Sequence, residues 1–245
     1  MRQVDNSVPG SVRSDHVCAA EAGSVTASRG QPGSGPSMMS PAWSSKLQLG
    51  CKAAMDFIGS FTCLVLLSPL LAVVAIAVKL SSPGPVFYPW KVVGRGGRPF
   101  VGYKFRSMCV NADELKAGLL ANNEMSGPVF KLSRDPRVTR VGAWLRRYSI
   151  DELPQLYSVL KGDMSLVGPR PPLQTEYAHF TGYQKQKLLV KPGITCLWQV
   201  SGRNSVHDFD EWVGLDLDYI RRWSIGLDCK ILLQTVGEIL VGSGK

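Results

Sequence analysis

Two acidic residues, Asp151 and Glu152, stand side by side between a basic segment and a Leu-Pro step. Arg134, Arg137, Arg140, Arg146 and Arg147 lie upstream, with only Asp135 opposing them. Lys104 and Arg106 form a further basic pair, and the stiff turn Gly168-Pro-Arg-Pro-Pro172 presents Arg170 downstream. Arginine matches phosphate oxygens bidentately, and a carboxylate can hold a divalent cation or attack phosphorus. This pattern is expected for handling a diphosphate. A plainer reading exists. Ser149-x-x-Glu152 is a capping-box pattern, and acids are favoured in a first helical turn. With Ser149 as N-cap, Pro154 falls past the first turn and costs a hydrogen bond; with Asp151 as N-cap it falls where proline is tolerated. Either register puts Asp151 at a helix N-terminus, whose positive end would keep the carboxylate ionised and draw phosphates. For the pair alone, capping is the commoner meaning.

The other reactive residue types are scattered. His16, His179 and His207 are isolated and read as surface or packing residues. Cys18, Cys51, Cys63, Cys109, Cys196 and Cys229 form no CxxC pair and no Cys/His ligand spacing, so they read as free thiols rather than a zinc site. Asp113-Glu114 reads as a solvated helix face. Trp90, Trp212 and Trp223 suit either a membrane interface or a core. The net charge of +9 and pI near 9.4 call for an anionic partner: nucleic acid, anionic lipid or a phosphorylated substrate. No RNA or DNA motif accompanies the basic patch.

These residues need elements to hold them. Residues 1–45 are rich in Ser, Gly, Pro and Ala without apolar periodicity; they read as a disordered tail carrying no chemistry and no secretory signal. Residues 57–78 are almost unbroken apolar sequence, and about 33 Å of helix would span a hydrocarbon core of about 30 Å. Ser68-Pro69 interrupts the middle of that run, where proline should kink the helix sharply. Lysines and arginines flank both ends, so the positive-inside rule gives no direction of crossing. A kinked spanning helix and a re-entrant one both remain open on those grounds. From residue 81 onward the chain reads as soluble or interfacial. Two short β-like runs, 86–93 and 99–105, flank a glycine cluster that reads as a hairpin turn. Helical stretches are expected at 111–122, 153–160, 177–189 and 209–240, the last broken near Gly226.

Ordered motif blocks then carry a resemblance. They are Met55-Asp56, Leu67-Ser-Pro-Leu70, Ser82-Pro-Gly-Pro-Val-Phe87, Lys104-Phe-Arg-Ser-Met108, Ser149-Ile-Asp-Glu-Leu-Pro-Gln-Leu156, Leu160-Lys-Gly-Asp-Met-Ser-Leu-Val-Gly-Pro-Arg-Pro171 and Lys191-Pro-Gly-Ile-Thr195. From Lys52 to Lys245 the chain resembles the monotopic bacterial sugar-phosphate transferases, which charge undecaprenyl phosphate with a hexose 1-phosphate. The block from Trp198-Gln-Val-Ser-Gly-Arg-Asn204 to Leu227-Asp-Cys-Lys-Ile-Leu232 is similar to the glucose and galactose transferases of exopolysaccharide assembly. Ala53, Cys196 and Tyr88-Pro-Trp-Lys91 depart from the family's usual text.

The resemblance implies an α+β, mostly helical chain. It has a tail (1–45), a re-entrant membrane helix hairpin broken at Ser68 and Pro69 (46–80), and a compact cytoplasmic catalytic domain containing a small β-hairpin (81–245). It implies that Asp151 is the nucleophile on a UDP-hexose, that UMP leaves from an aspartyl-phosphosugar, and that undecaprenyl phosphate collects the sugar phosphate. Glu152 would help bind Mg²⁺. Lys104, Arg106, Arg146, Arg147 and Arg170 would bind phosphates. The expected setting is the bacterial inner membrane with the catalytic domain facing the cytoplasm, self-association, and no nucleic acid. A catalytically silent membrane scaffold of polysaccharide assembly is the competing reading.

Overall fold

The computed structural model describes residues 46–202 and 206–244. The expected tail lies outside the described residues. The first element is one long helix, α1 (Lys46–Ser81). It is long and apolar enough to cross a membrane by length and composition. Pro69 sits inside it without ending it. The expected break is therefore a proline within a continuous helix. The local chemistry explains the continuity. Proline cannot donate to the carbonyl four residues back, Val65, and the Ser68 hydroxyl donates to that carbonyl instead at 2.8 Å.

The middle of α1 is bare, with Phe57, Phe61, Val65, Leu66, Leu70 and Val73 exposed. Its two ends are not. Lys52, Asp56 and Ser60 are buried near the start, and Val74 and Val78 are buried near the end. The second pair packs with Phe105 and Leu145 in a small core of its own. Each such side chain contributes about 1.5–3 kcal/mol on burial. The first end is held by polar groups. Lys52 Nζ lies 2.7 Å from Asp228 Oδ2 and donates to the Val167 carbonyl at 3.2 Å. Asp56 Oδ1 accepts from Ser165 Oγ and from the Leu166 backbone N–H, both at 3.0 Å.

The expected hairpin is present. β1 (Phe87–Val93) pairs antiparallel with β2 (Pro99–Phe105), from Phe87 opposite Phe105 to Val93 opposite Pro99. A tight turn joins them through Gly96 and Gly97, at φ 67° and 79°, the left-handed region that glycine enters freely. Helix α2 (Ala112–Leu119) follows as expected. Helix α3 (Arg140–Arg147) was not anticipated; Thr139 caps it by accepting from the Gly142 N–H at 2.9 Å. A six-residue 3₁₀ segment (Ile150–Gln155) leads into α4 (Leu156–Leu160).

The chain then forms a second sheet absent from the sequence expectation. β3 (Ser165–Val167) pairs in parallel with β4 (Gly193–Thr195). Gly168 and Gly193 approach so closely that a Cβ on either would strike the other segment's backbone. The expected helix at 177–189 is instead α5 (Gln174–Tyr177), α6 (Gly182–Lys185) and a 3₁₀ turn (Gln186–Leu189). The Thr181 side chain starts a new helix there by accepting from the Gln184 N–H at 3.2 Å. After α7 (Leu197–Val200) come α8 (Phe209–Arg222) and α9 (Ile225–Val241). Their break falls at Trp223 and Ser224 rather than at Gly226, because Ser224 caps α9 by accepting from the Leu227 N–H at 3.1 Å.

Candidate active site

The dyad lies on the 3₁₀ segment that opens at Ser149. Ser149 has φ 54° and is the one non-glycine residue at positive φ among those described. Such backbone is costly for a residue with a Cβ and tends to occur at functional sites. Its hydroxyl makes no capping hydrogen bond to the helix. The Glu152 carboxylate does not turn back to the N-cap either. It accepts from Lys104 Nζ at 2.7 Å and from Arg170 Nη1 at 3.1 Å, both at Oε1. The capping-box alternative therefore fails at both of its hydrogen bonds.

Three elements supply this cluster. β2 brings Lys104, the 3₁₀ segment brings Asp151 and Glu152, and the turn after β3 brings Arg170. The parallel pairing of β3 with β4 fixes the root of that turn through the Gly168 N–H bond to the Thr195 carbonyl at 3.0 Å and the Gly193 N–H bond to the Pro169 carbonyl at 3.0 Å. Trp90 lies beneath both cations, 3.8 Å from Lys104 Nζ and 5.6 Å from Arg170 Cζ, measured to the ring centroid. This favourable cation–π contact was not read from the sequence. The signal was available in the hairpin, because Trp90 opposes Gly102, two residues from Lys104 on the same face.

Burial and charge divide the two carboxyls. Burial and the neighbouring Glu152 push the Asp151 carboxyl above the usual carboxylate range, partly offset by Lys104, Arg146 and Arg170. This corrects the expectation that a helix N-terminus would hold it low; a buried 3₁₀ turn gives a different environment. Burial also opposes charge on Glu152, but Lys104 and Arg170 outweigh it and hold that carboxyl well below its ordinary range. Burial lowers the Lys104 ammonium despite its acidic partner. Carboxyls perturbed by burial and neighbouring charge cluster at functional sites, which makes the pair a candidate. Among the described residues, no hydrogen bond ties down the Asp151 carboxylate.

The site opens into a cleft of about 430 Å³, within the usual size for small-molecule sites. Arg146 lines it and donates from Nε to Ser107 Oγ at 3.0 Å. Arg147 does not line it; its guanidinium lies over the Tyr148 ring, 5.7 Å from the centroid. Arg106 borders the cleft, yet its guanidinium donates to the carbonyls of Pro83, Val78 and Ser82 at 2.8, 3.0 and 2.7 Å. It ties down the end of α1. Arg137 is likewise engaged, by a two-point contact with Asp135 at 2.9 and 2.6 Å. Lys116, Lys131 and Lys187 also line the cleft and were not singled out from the sequence. Cys196 is a buried thiol pushed up to about 12 by burial and Asp216, and so is a poor nucleophile.

Among the described residues, no group of three or more His, Cys, Asp or Glu side chains is placed to hold a metal by itself. Mg²⁺ is commonly held by one or two carboxylates together with substrate phosphates. The adjacent Asp151 and Glu152, beside cations suited to phosphate, match that donor set.

A family model described as bacterial sugar transferase matches residues 47–242. The chain is 49% identical over 193 residues to galactosyl transferase CpsE of Streptococcus agalactiae, covering 79% of this chain and 43% of that protein. It is 43% identical to the undecaprenyl-phosphate galactose phosphotransferase of Salmonella typhimurium, covering 79% and 41%. It is 38% identical to the exopolysaccharide production protein ExoY of Rhizobium meliloti, covering 79% and 87%. The chain thus spans under half the length of the first two relatives and most of the third. Because the match takes in α1, the hairpin, the dyad and α9 together, the chain belongs to the bacterial sugar transferase family.

Proposed function

We propose that this chain transfers hexose 1-phosphate, as glucose or galactose, from a UDP-hexose to undecaprenyl phosphate, releasing UMP. The observation that carries the proposal is the split dyad. Glu152 is ionised and clamped by two cations, while Asp151 beside it has its carboxylate untethered in the same cleft. Asp151 is positioned to attack the β-phosphorus and carry an acyl-phosphate sugar. Lys104, Arg146 and Arg170 offset the charge that develops on the phosphate oxygens. Mg²⁺, held by Glu152 together with the diphosphate, would supply further charge neutralisation. The names of the relatives support galactose as a transferred sugar and undecaprenyl phosphate as the acceptor.

The same reading places α1 as a re-entrant membrane helix at the cytoplasmic face of the inner membrane. Its support is that Lys52 and Asp56 near one end, and Val74 and Val78 near the other, are all buried against one folded body while the apolar middle stays bare. A simple span would put those ends on opposite sides of the lipid. Incubating the protein with a UDP-hexose, without lipid acceptor, should add one hexose phosphate to the peptide carrying Asp151, read by mass spectrometry. Full transfer with no adduct on Asp151, even on rapid quenching, would refute the covalent route. A silent scaffold would give neither adduct nor UMP.

A further inference from the structure

Trp90 is buried, yet among the described residues it joins neither the large apolar core around Phe209 and Trp212 nor the small one at the end of α1. What its ring meets is charge, with the centroid 3.8 Å from Lys104 Nζ and 5.6 Å from Arg170 Cζ. The backbone explains how one ring reaches both cations. On one edge β1 pairs with β2, where Trp90 opposes Gly102 and so shares a face with Lys104, two residues on. On its other edge β1 meets the segment just past Arg170. There the Val93 N–H donates to the Pro172 carbonyl at 3.0 Å, and Val92 forms a bridge with Leu173. β1 therefore runs between the two segments that carry the cations, and Trp90 is its contact to each.

Glu152 alone does not balance these charges. Lys104 and Arg170 both donate to its Oε1, at 2.7 and 3.1 Å, so two cations share one carboxylate. Their side chains are only 13% and 27% exposed, so water and salt screen their mutual repulsion weakly. An aromatic face attracts such cations, and most strongly where they are desolvated. It also differs from a second carboxylate in a way that matters here. A carboxylate would accept the N–H groups that a diphosphate needs, whereas a π face offsets positive charge without taking a conventional acceptor's place. We propose that Trp90 is a positioning residue of the transferase: its ring holds Lys104 and Arg170 together on Glu152, so that the pair is in place before the diphosphate arrives. The proposal rests on the transferase reading above and has Trp90 act through the two cations. Cations already placed need no reorganisation at the moment of reaction; cations gathered only on binding weaken both binding and turnover.

The test changes the ring's electrostatics while keeping its shape. Progressively fluorinated tryptophans, incorporated at position 90 alone in the full chain in lipid nanodiscs, drain the negative π face and leave the packing nearly intact. The rate of UMP release from UDP-glucose or UDP-galactose, with undecaprenyl phosphate present, is measured for each. Stepwise fluorination should lower kcat/KM in step, reaching about fivefold to thirtyfold below wild type, with the melting temperature within a few degrees. A flat series would make Trp90 a packing residue and overturn the proposal. A double-mutant cycle gives the second readout. Trp90→Leu should lower kcat/KM by at least that factor in wild type, but by less than about threefold once Lys104→Met has removed the nearer cation. An undiminished loss in the Lys104→Met background would show that Trp90 does not act through Lys104, and would overturn the proposal too. Wild-type protein that releases no UMP from either UDP-hexose would fail the transferase reading itself, and the role of Trp90 with it.

Discussion

Two charged clusters draw on β3 and the turn that follows it, and they are built to opposite ends. At the start of α1, Lys52 meets Asp56 at 3.3 Å, Asp228 at 2.7 Å and the Val167 carbonyl, while Asp228 also accepts from Tyr219 at 2.8 Å and from Trp223 Nε1 at 3.2 Å. Every charge there has fixed partners from the chain itself. At the dyad, Lys104 and Arg170 share one oxygen of Glu152, Arg146 stands nearby, and the carboxylate of Asp151 is not hydrogen-bonded among the described residues. One cluster is saturated; the other keeps spare cationic capacity and a carboxylate without a hydrogen bond among the described residues, in a cleft. Burial alone does not separate the two clusters. The separation lies in how many of the partners a charge needs are already supplied.

Substitutions should break the two clusters differently. Asp151→Asn should reduce UMP release from UDP-hexose by at least about a thousandfold while leaving thermal unfolding within a few degrees of wild type. Retained turnover would remove Asp151 from its role. Asp228→Asn should act the other way: it removes the shorter of the two ion pairs of the buried Lys52, leaving Asp56 at 3.3 Å, and should cost about 1.5–3 kcal/mol of stability, measured by denaturant unfolding in detergent. A loss below about 1 kcal/mol would mean that the knot is not the fastening it resembles. Lys104→Met should lower kcat/KM by about a hundredfold to a thousandfold, the scale of one lost transition-state cation or donor. The smallest contrast sharpens the comparison most. Arg146→Ala should lower kcat/KM by roughly tenfold or more, whereas Arg147→Ala, outside the cleft, should leave it within about twofold.

The sequence made the large features legible through strong local signals. The apolar run produced α1, and the alternation around a glycine cluster produced the hairpin. The adjacent carboxylates among arginines marked the dyad, although their local pattern favoured a cap. What it hid was mostly long-range. β3 and β4 are three residues each and leave no room for alternation. Arg106 and Arg146 look equivalent as charges, yet one meets backbone carbonyls at the end of α1 and the other faces the cleft. Lys187 is a plain lysine in sequence; only its pairing with Asp216 shows it as a buried group. Thr181 and Ser224 were readable caps, and weighing them would have moved two helix boundaries.

The knot at Lys52 also implies an order of assembly as the chain is made. Asp56, one helical turn away, is available to Lys52 as soon as α1 coils. The Val167 carbonyl arrives later, and Asp228 later still, when α9 emerges. The start of the apolar helix therefore forms with its lysine incompletely neutralised. Helix α9, once it emerges, fastens the start of α1. A nascent chain stopped before Asp228 would carry the dyad but lack this fastening, so the finished fold around Lys52 waits for α9.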